Sequence, residues 1–249
     1  MPYRKRTRNI YDPDSAEPFA VSRSRIDRFL ECQRCFYLDR RLGLDRPGMP
    51  GFSLNNAVDA LLKKEFDILR EKGHSHDLMK KYGIDLIPFK HDDLPIWRDD
   101  IYRYVGASII HEPTNLQIQG IVDDIWVDKN GVIYIVDYKA TSTQAEITLE
   151  DQYKQAYKKQ VEVYQWIFRQ MGFAVSDTAY FVFANATKET ERFNGRLEFE
   201  LSIIPHDGND GWVEPTIYKI KECLDSGTIP EINPDCEYCG YSSSVNSAS

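Results

Sequence analysis

The sequence predicts a mixed α/β fold, and three observations carry that expectation. Helical periodicity before residue 75 gives way to segments rich in Ile, Val and Tyr between 104 and 139. A long helical pattern over 149–171 follows, and two more strand-like runs come after it. Three strands in succession, then a helix and a further strand, call for antiparallel and parallel neighbours in a mixed sheet flanked by helices.

Residues 1–21 are polar, contain Pro2, Pro13 and Pro18, and carry the basic cluster Arg4, Lys5, Arg6 and Arg8. They read as a basic flexible arm, either gripping phosphates or merely solvated. A helix begins after Ser22 or Ser24, with Ile26, Phe29 and Leu30 on one face, and runs into Cys32. Residues 46–51 form a loop by their Pro and Gly content. Ser53 can cap a long helix whose Leu54, Val58, Leu61, Leu62, Phe66 and Leu69 follow a 3.6-residue period, with Gly73 ending it. Residues 74–100 mix a short helix with loop. Strands are expected over 104–110, 116–127 and 132–139, with Asn130-Gly131 as a two-residue hairpin. The helix over 149–171 carries Tyr157, Val161, Tyr164, Ile167 and Phe168. Strands over 178–184 and 197–204 and a helix over 210–224 complete one domain, 22–241, and 242–249 reads as a disordered tail. Cys223 falls on the apolar stripe of the last helix and reads as a buried, inert thiol.

The 249 residues, 42% hydrophobic, suffice for one sizeable core. No apolar run approaches the roughly 20 residues of a membrane span, and no apolar segment follows the N-terminal charges, so the expected address is the cytoplasm. A net charge of −8 argues against a chain that coats itself in nucleic acid. It does not exclude a local groove, and acidic residues suit cation binding.

The most informative stretch is Gly120-Ile121-Val122-Asp123, then a hairpin, then Val136-Asp137-Tyr138-Lys139. Asp137 and Lys139, two apart on a strand, share a face. With Asp123 on the neighbouring strand, two carboxylates can hold Mg²⁺ or Mn²⁺, and the lysine can orient water and stabilise charge on a phosphate. Taken alone, Asp-x-Lys is an ordinary surface ion pair; its combination with Gly-x-x-Asp gives it meaning.

This pattern resembles the core of the PD-(D/E)XK nucleases. Gln160-Val161-Glu162-Val163-Tyr164 on the next helix is similar to the Gln-x-x-x-Tyr motif of the RecB-like branch, where the pair lines the cleft and positions substrate. Tyr164 as plain core is the alternative. The segment Ser24 to Cys32, followed by Phe36-Tyr37, also resembles the start of that branch. Many of its members carry a metal-binding histidine on the next long helix. Asp59 occupies the corresponding place here, as a hard ligand or as a solvated residue. Glu112 stands near the family's acidic residue ahead of Gly-x-x-Asp.

The resemblance implies a restriction-endonuclease-like fold and hydrolysis of DNA phosphodiesters. Asp123 and Asp137 would be metal ligands, Lys139 would orient water, and Gln160 and Tyr164 would position substrate. It also implies single-stranded DNA or DNA ends as substrate, in repair, recombination or CRISPR adaptation, with a helicase or integrase as a separate partner chain. A non-catalytic DNA-binding module on the same fold is the rival reading, and a zinc-stapled interaction domain a more distant one.

Cys32/Cys35 and Cys236/Cys239 are two Cys-x-x-Cys pairs, a strong metal signal when both are present. A shared site would join chain start to chain end. AddB-type and CRISPR-adaptation members of the branch bind a [4Fe–4S] cluster through one N-terminal and three C-terminal cysteines. The resemblance therefore implies such a cluster, and the two-and-two arrangement leaves zinc as the alternative.

Overall fold

The computed structural model describes residues 5–48, 51–99 and 105–248, with side chains to 247. Pro2 and Arg4, and positions 49, 50, 100 and 104 of the expected loop, helix-and-loop and strand segments, lie outside the described residues. The chain divides into two compact units. One is drawn from Met1–Pro50, Ser108–Gln119 and Gly211–Ser249, the other from Gly51–Ala107 and Gly120–Asp210.

The first unit holds a three-stranded sheet in the order β1 (Phe19–Ser22), β4 (Leu116–Gly120), β3 (Ala107–His111), with β1 and β4 parallel. Its helices are α1 (Arg23–Glu31), α2 (Gln33–Leu42), α7 (Val213–Asp225) and α8 (Glu237–Ala248). The helix expected after Ser22 or Ser24 and running into Cys32 is α1. Cys32, extended at φ −161° and ψ 106°, ends it, and α2 follows as a further helix that the sequence reading did not place.

Residues 5–22 are anchored at Arg6, Tyr11 and β1, while 7–9 and 12–17 remain exposed. Arg6 pairs with the fully buried Asp39 at 2.7 Å, and the buried Tyr11 bonds Asp225 at 2.5 Å and Lys221 at 2.7 Å. Asp39 also meets Arg25 at 2.9 Å and Arg40 at 2.8 Å. A buried carboxylate needs such cations, so the basic residues that suggested a phosphate-gripping arm include one already committed inside the protein. Residues 242–248, expected as a disordered tail, continue α8.

The second unit contains a five-stranded sheet, β2 (Ile87–Pro88), β5 (Asp124–Val127), β6 (Ile133–Thr141), β7 (Thr178–Ala186) and β8 (Phe199–Asp207), in that spatial order. β6 and β7 are parallel and the other neighbours antiparallel, which is the mixed sheet expected. The parallel pair is bridged by α6 (Gln155–Gln170), entered through a short 3₁₀ turn at Gln152–Lys154. Helix α3 (Ser53–Lys72) ends at Gly73 as its sequence requires, with short helices α4 (Asp77–Lys81) and α5 (Leu94–Asp99) before β3.

Two local expectations change. The strand expected over 116–127 is broken at 121–123, giving β4 and β5 in different sheets, so the three successive strands do not form one meander. The β5–β6 turn spans three residues, 129–131, with Asp128 and Val132 paired at 3.0 Å and φ +81° at Gly131 alone. Asp128 accepts from Asn130 N and Val132 N, which favours a type I turn closed by a left-handed glycine over the two-residue form.

Strand β6 is buried on both faces. Its even residues Val136 and Tyr138 join Leu62, Phe66, Trp126 and Val182 in the core beneath α3. The odd residues Asp137 and Lys139 point the other way, level with Phe181, towards Tyr157 of α6. Among the described residues no helix is long and apolar enough to cross a membrane.

Candidate active site and cysteine cluster

Period-two geometry puts Asp137 and Lys139 on one face of β6, where the Lys139 ammonium contacts a carboxylate oxygen of Asp137. Asp137 is fully buried, and apart from that ammonium neither of its oxygens has a hydrogen-bond donor. Burial, reinforced by the neighbouring Asp123 and opposed by Lys139, pushes its carboxyl up to about 7. Burial pulls Lys139 down, but the attraction of Asp137 and Asp123 outweighs it and the net direction is up.

Asp123 sits not on a strand but in the bend just before β5, where its Oδ2 accepts from Tyr138 N at 2.9 Å. That bond ties the bend to the residue between Asp137 and Lys139. The bend is held a second way: Tyr164, 3% exposed, donates from its hydroxyl to Ile121 O at 2.8 Å, with Gln160 Nε2 3.4 Å from the same hydroxyl. Tyr164 is thus buried, as its apolar neighbours allow, yet its polar tip fixes the backbone two residues before Asp123. Just upstream, Gly106 at φ +65° lies so close to Gly120 that a Cβ there would meet Gly120 O at 2.2 Å.

Asp59 on α3 lies in the cleft that also contains Asn56, Asp123, Lys139 and Tyr157. Burial, then the charge of Asp123, pushes its carboxyl up. Lys63, one turn on, reaches Asp59 at 2.9 Å and Asp123 at 3.9 Å. Sequence reading missed Lys63 and also Tyr157, whose ring centroid is 4.7 Å from Lys139 Nζ. The i,i+4 spacing of Lys63 from Asp59, and of Tyr157 seven residues before Tyr164, were the available signals. Glu112 lies in the β3–β4 turn, in the other unit.

Asp59, Asp123 and Asp137 against Lys63 and Lys139 leave one net negative charge when all are ionised. Carboxylates that converge on one cleft, with both oxygens of the buried Asp137 short of donors, suit a hard divalent cation, so Mg²⁺ or Mn²⁺ fits these residues. Behind them Asp124, fully buried, pairs with Arg70 and accepts from Tyr138 Oη at 2.6 Å and Ile125 N at 2.8 Å.

The family model described as PD-(D/E)XK nuclease superfamily matches residues 55–244. The chain belongs to the PD-(D/E)XK nuclease superfamily. The matched span contains every acidic and lysine residue of the cleft just described. Among solved structures this nuclease-superfamily chain is similar to one titled "Crystal structure of SSO0001". Identity is 14% and the TM-score 0.34, over 90% of this chain and 84% of that one. No curated relative matches.

In its first unit the superfamily member brings Cys32, Cys35, Cys236 and Cys239 together as free, buried thiols whose sulfurs all lie within 4.8 Å of one another. Cys32 caps α2 and its sulfur accepts from Cys35 N at 3.4 Å. Burial pushes the Cys35 thiol up to about 12, against the opposing pull of Arg46. Ligation of a cation by these sulfurs would release protons. Cys223 is buried on α7, apart from the group, as its apolar setting suggests.

The raised Asp137 acidity has a consequence for stability. The folded pKa of about 7 lies above the ordinary 3.8, so folding takes up a proton and stability is lost as pH rises through that interval. Asparagine at 137 cannot ionise. In metal-free protein Asp137→Asn is therefore expected to lose less stability than the parent as pH rises from about 4 to about 7, giving a flatter stability–pH profile. Urea melts in chelator across that range measure it. A profile as steep as the parent's would mean that Asp137 does not titrate in this interval.

Proposed function

We propose that the chain is a Mg²⁺- or Mn²⁺-dependent deoxyribonuclease of the RecB-like branch. It acts on single-stranded DNA or DNA ends, in repair, recombination or CRISPR adaptation alongside a helicase or integrase chain. The observation that carries the reading is the buried Asp137 with both oxygens short of donors, beside Lys139 on one face of β6. A divalent cation bound there would supply Lewis-acid activation of the scissile phosphate and of an attacking water.

The remaining work belongs to the side chains. Asp137 and Asp123 hold the cation, with Asp59 offering a further oxygen at the cleft wall. The ammonium of Lys139, drawn forward by Asp137, orients the water and meets negative charge developing on the phosphate. Tyr157 shields that ammonium on one side. Lys63 neutralises Asp59 and Asp123 before a cation arrives, which lowers the repulsion among the acids. Intact Asp123, Asp137 and Lys139 support a catalytic reading over a non-catalytic DNA-binding module.

In this scheme Tyr164 is a positioning residue that acts through the Ile121 carbonyl. Tyr164→Phe removes one hydroxyl and leaves a buried carbonyl short of a donor, costing about 1–2 kcal/mol. Cleavage of end-labelled DNA is expected to slow about tenfold while DNA affinity holds. Unchanged turnover at saturating DNA would show that the bend does not depend on this bond.

The test of the reaction itself is cleavage of end-labelled single- and double-stranded DNA in Mg²⁺, Mn²⁺ or chelator. Metal-dependent products support the nuclease and their ladder gives the polarity. Protein that binds DNA and cuts neither substrate with either metal would favour the DNA-binding module.

A further inference from the structure

The four cysteines invite the [4Fe–4S] cluster implied by resemblance, but their spacing suits a smaller occupant. Cys32 Sγ lies 3.7 Å from Cys239 Sγ, and Cys35 Sγ 3.7 Å from Cys236 Sγ. No pair among the four exceeds 4.8 Å. Four thiolates around a single ion with bonds near 2.3 Å form a tetrahedron with edges of about 3.8 Å. A cubane interposes four irons and four sulfides and holds its thiolates well beyond the separations seen here.

The two motifs are also built alike. Each places its first cysteine at the start of a helix, Cys32 before α2 and Cys236 before α8, with the second cysteine one turn in. In each the first sulfur accepts the backbone N–H of the second cysteine. Two equivalent chelates facing each other across 3.7 Å close a four-sulfur shell and leave no open position, the mark of a structural zinc site.

The surroundings answer the charge such a shell would carry. One Zn²⁺ with four thiolates is doubly negative. Arg46 Nη2 stands 3.4 Å from Cys236 Sγ, its guanidinium 4.4 Å from the Tyr238 ring centroid and 2.7 Å from Glu31. Asn233 Nδ2 also donates to Glu31 O at 2.9 Å, binding the approach to the second motif to the end of α1.

We infer that Cys32, Cys35, Cys236 and Cys239 hold one mononuclear zinc ion, as a redox-inert staple of the first unit. This stands independently of the nuclease reading, since the site uses none of the cleft residues. Zinc has no accessible redox couple, so any oxidation at this site would fall on the thiolate sulfurs and not on the metal.

The test is the metal content of full-length protein purified anaerobically from cells supplied with both iron and zinc. The expected result is colourless protein with one zinc per chain and no acid-labile sulfide. Exchange with Co²⁺ should then give the visible absorption of a tetrahedral cobalt thiolate. Cys223→Ser should keep the full zinc content, whereas Cys35→Ser and Cys239→Ser should lose most of it. Brown or red protein containing iron, with or without sulfide, would overturn the inference, as would wild-type protein without stoichiometric metal. The wild-type measurement decides the matter even if the cysteine variants do not fold.

Discussion

Asp137→Ala and Lys139→Ala are each expected to lower metal-dependent DNA cleavage by about 10²–10³-fold or more, the cost of removing a preorganised charge from a water-poor site. Asp137 is fully buried and its oxygens lack donors other than Lys139, which leaves them free for a cation. Lys139 loses its main attraction when Asp137 is removed, so the two act as one device. The double substitution should cost little more than either alone. Asp137→Asn preserves shape and keeps the fold, which separates lost chemistry from lost structure. Circular dichroism and DNA affinity should match the parent while product formation vanishes. Wild-type cleavage by both alanine variants would place the chemistry elsewhere.

Arg70→Met carries the second large effect, on stability. Asp124 is fully buried on the opposite face of the same hairpin, and Arg70, itself nearly buried, is its cationic partner. Removing one member of a buried pair leaves a charge without compensation and costs about 3–5 kcal/mol. Burial already pushes the Asp124 carboxyl up despite Arg70. Without the guanidinium it moves further up, so the penalty is largest at neutral pH and eases as acid protonates the group. Urea melts of parent and variant at about pH 5 and pH 8 would read this directly. A loss below about 1 kcal/mol at the higher pH would mean that Tyr138, Ile125 and the nearby charge of Arg98 compensate Asp124 without Arg70. Cleavage should fall as well, because Asp123 and Tyr138 belong to the same two segments.

Much of the site was legible because strand parity is rigid. Once Asp137 and Lys139 are placed on a strand they must share a face, and Gln160 and Tyr164 must share a face of a helix. Helix α3 was equally plain, since its apolar period and terminal glycine agree. The break at 121–123 was not, because Ile121 and Val122 look like ordinary strand residues. The bend depends on Tyr164 and on Tyr138 N, partners distant in sequence. Residues 5–22 failed for the same reason. Their polarity suggested solvent, while Asp39 and Asp225, far along the chain, supply the partners. Lys63 looked like an ordinary helix charge until the fold brought Asp123 beside it.

The discontinuity of the first unit bears on how the molecule is made. Cys35 and Cys236 stand 201 positions apart, so the first cysteine pair emerges long before the second. At about 5–20 residues per second, ribosomal synthesis leaves that pair without its mates for roughly 10–40 s. The sheet of the second unit, assembled largely from the contiguous run 120–210, can form within this interval. The four-cysteine site closes last, and a nascent chain interrupted before residue 236 would display two thiols without their mates after the sheet of the second unit has assembled.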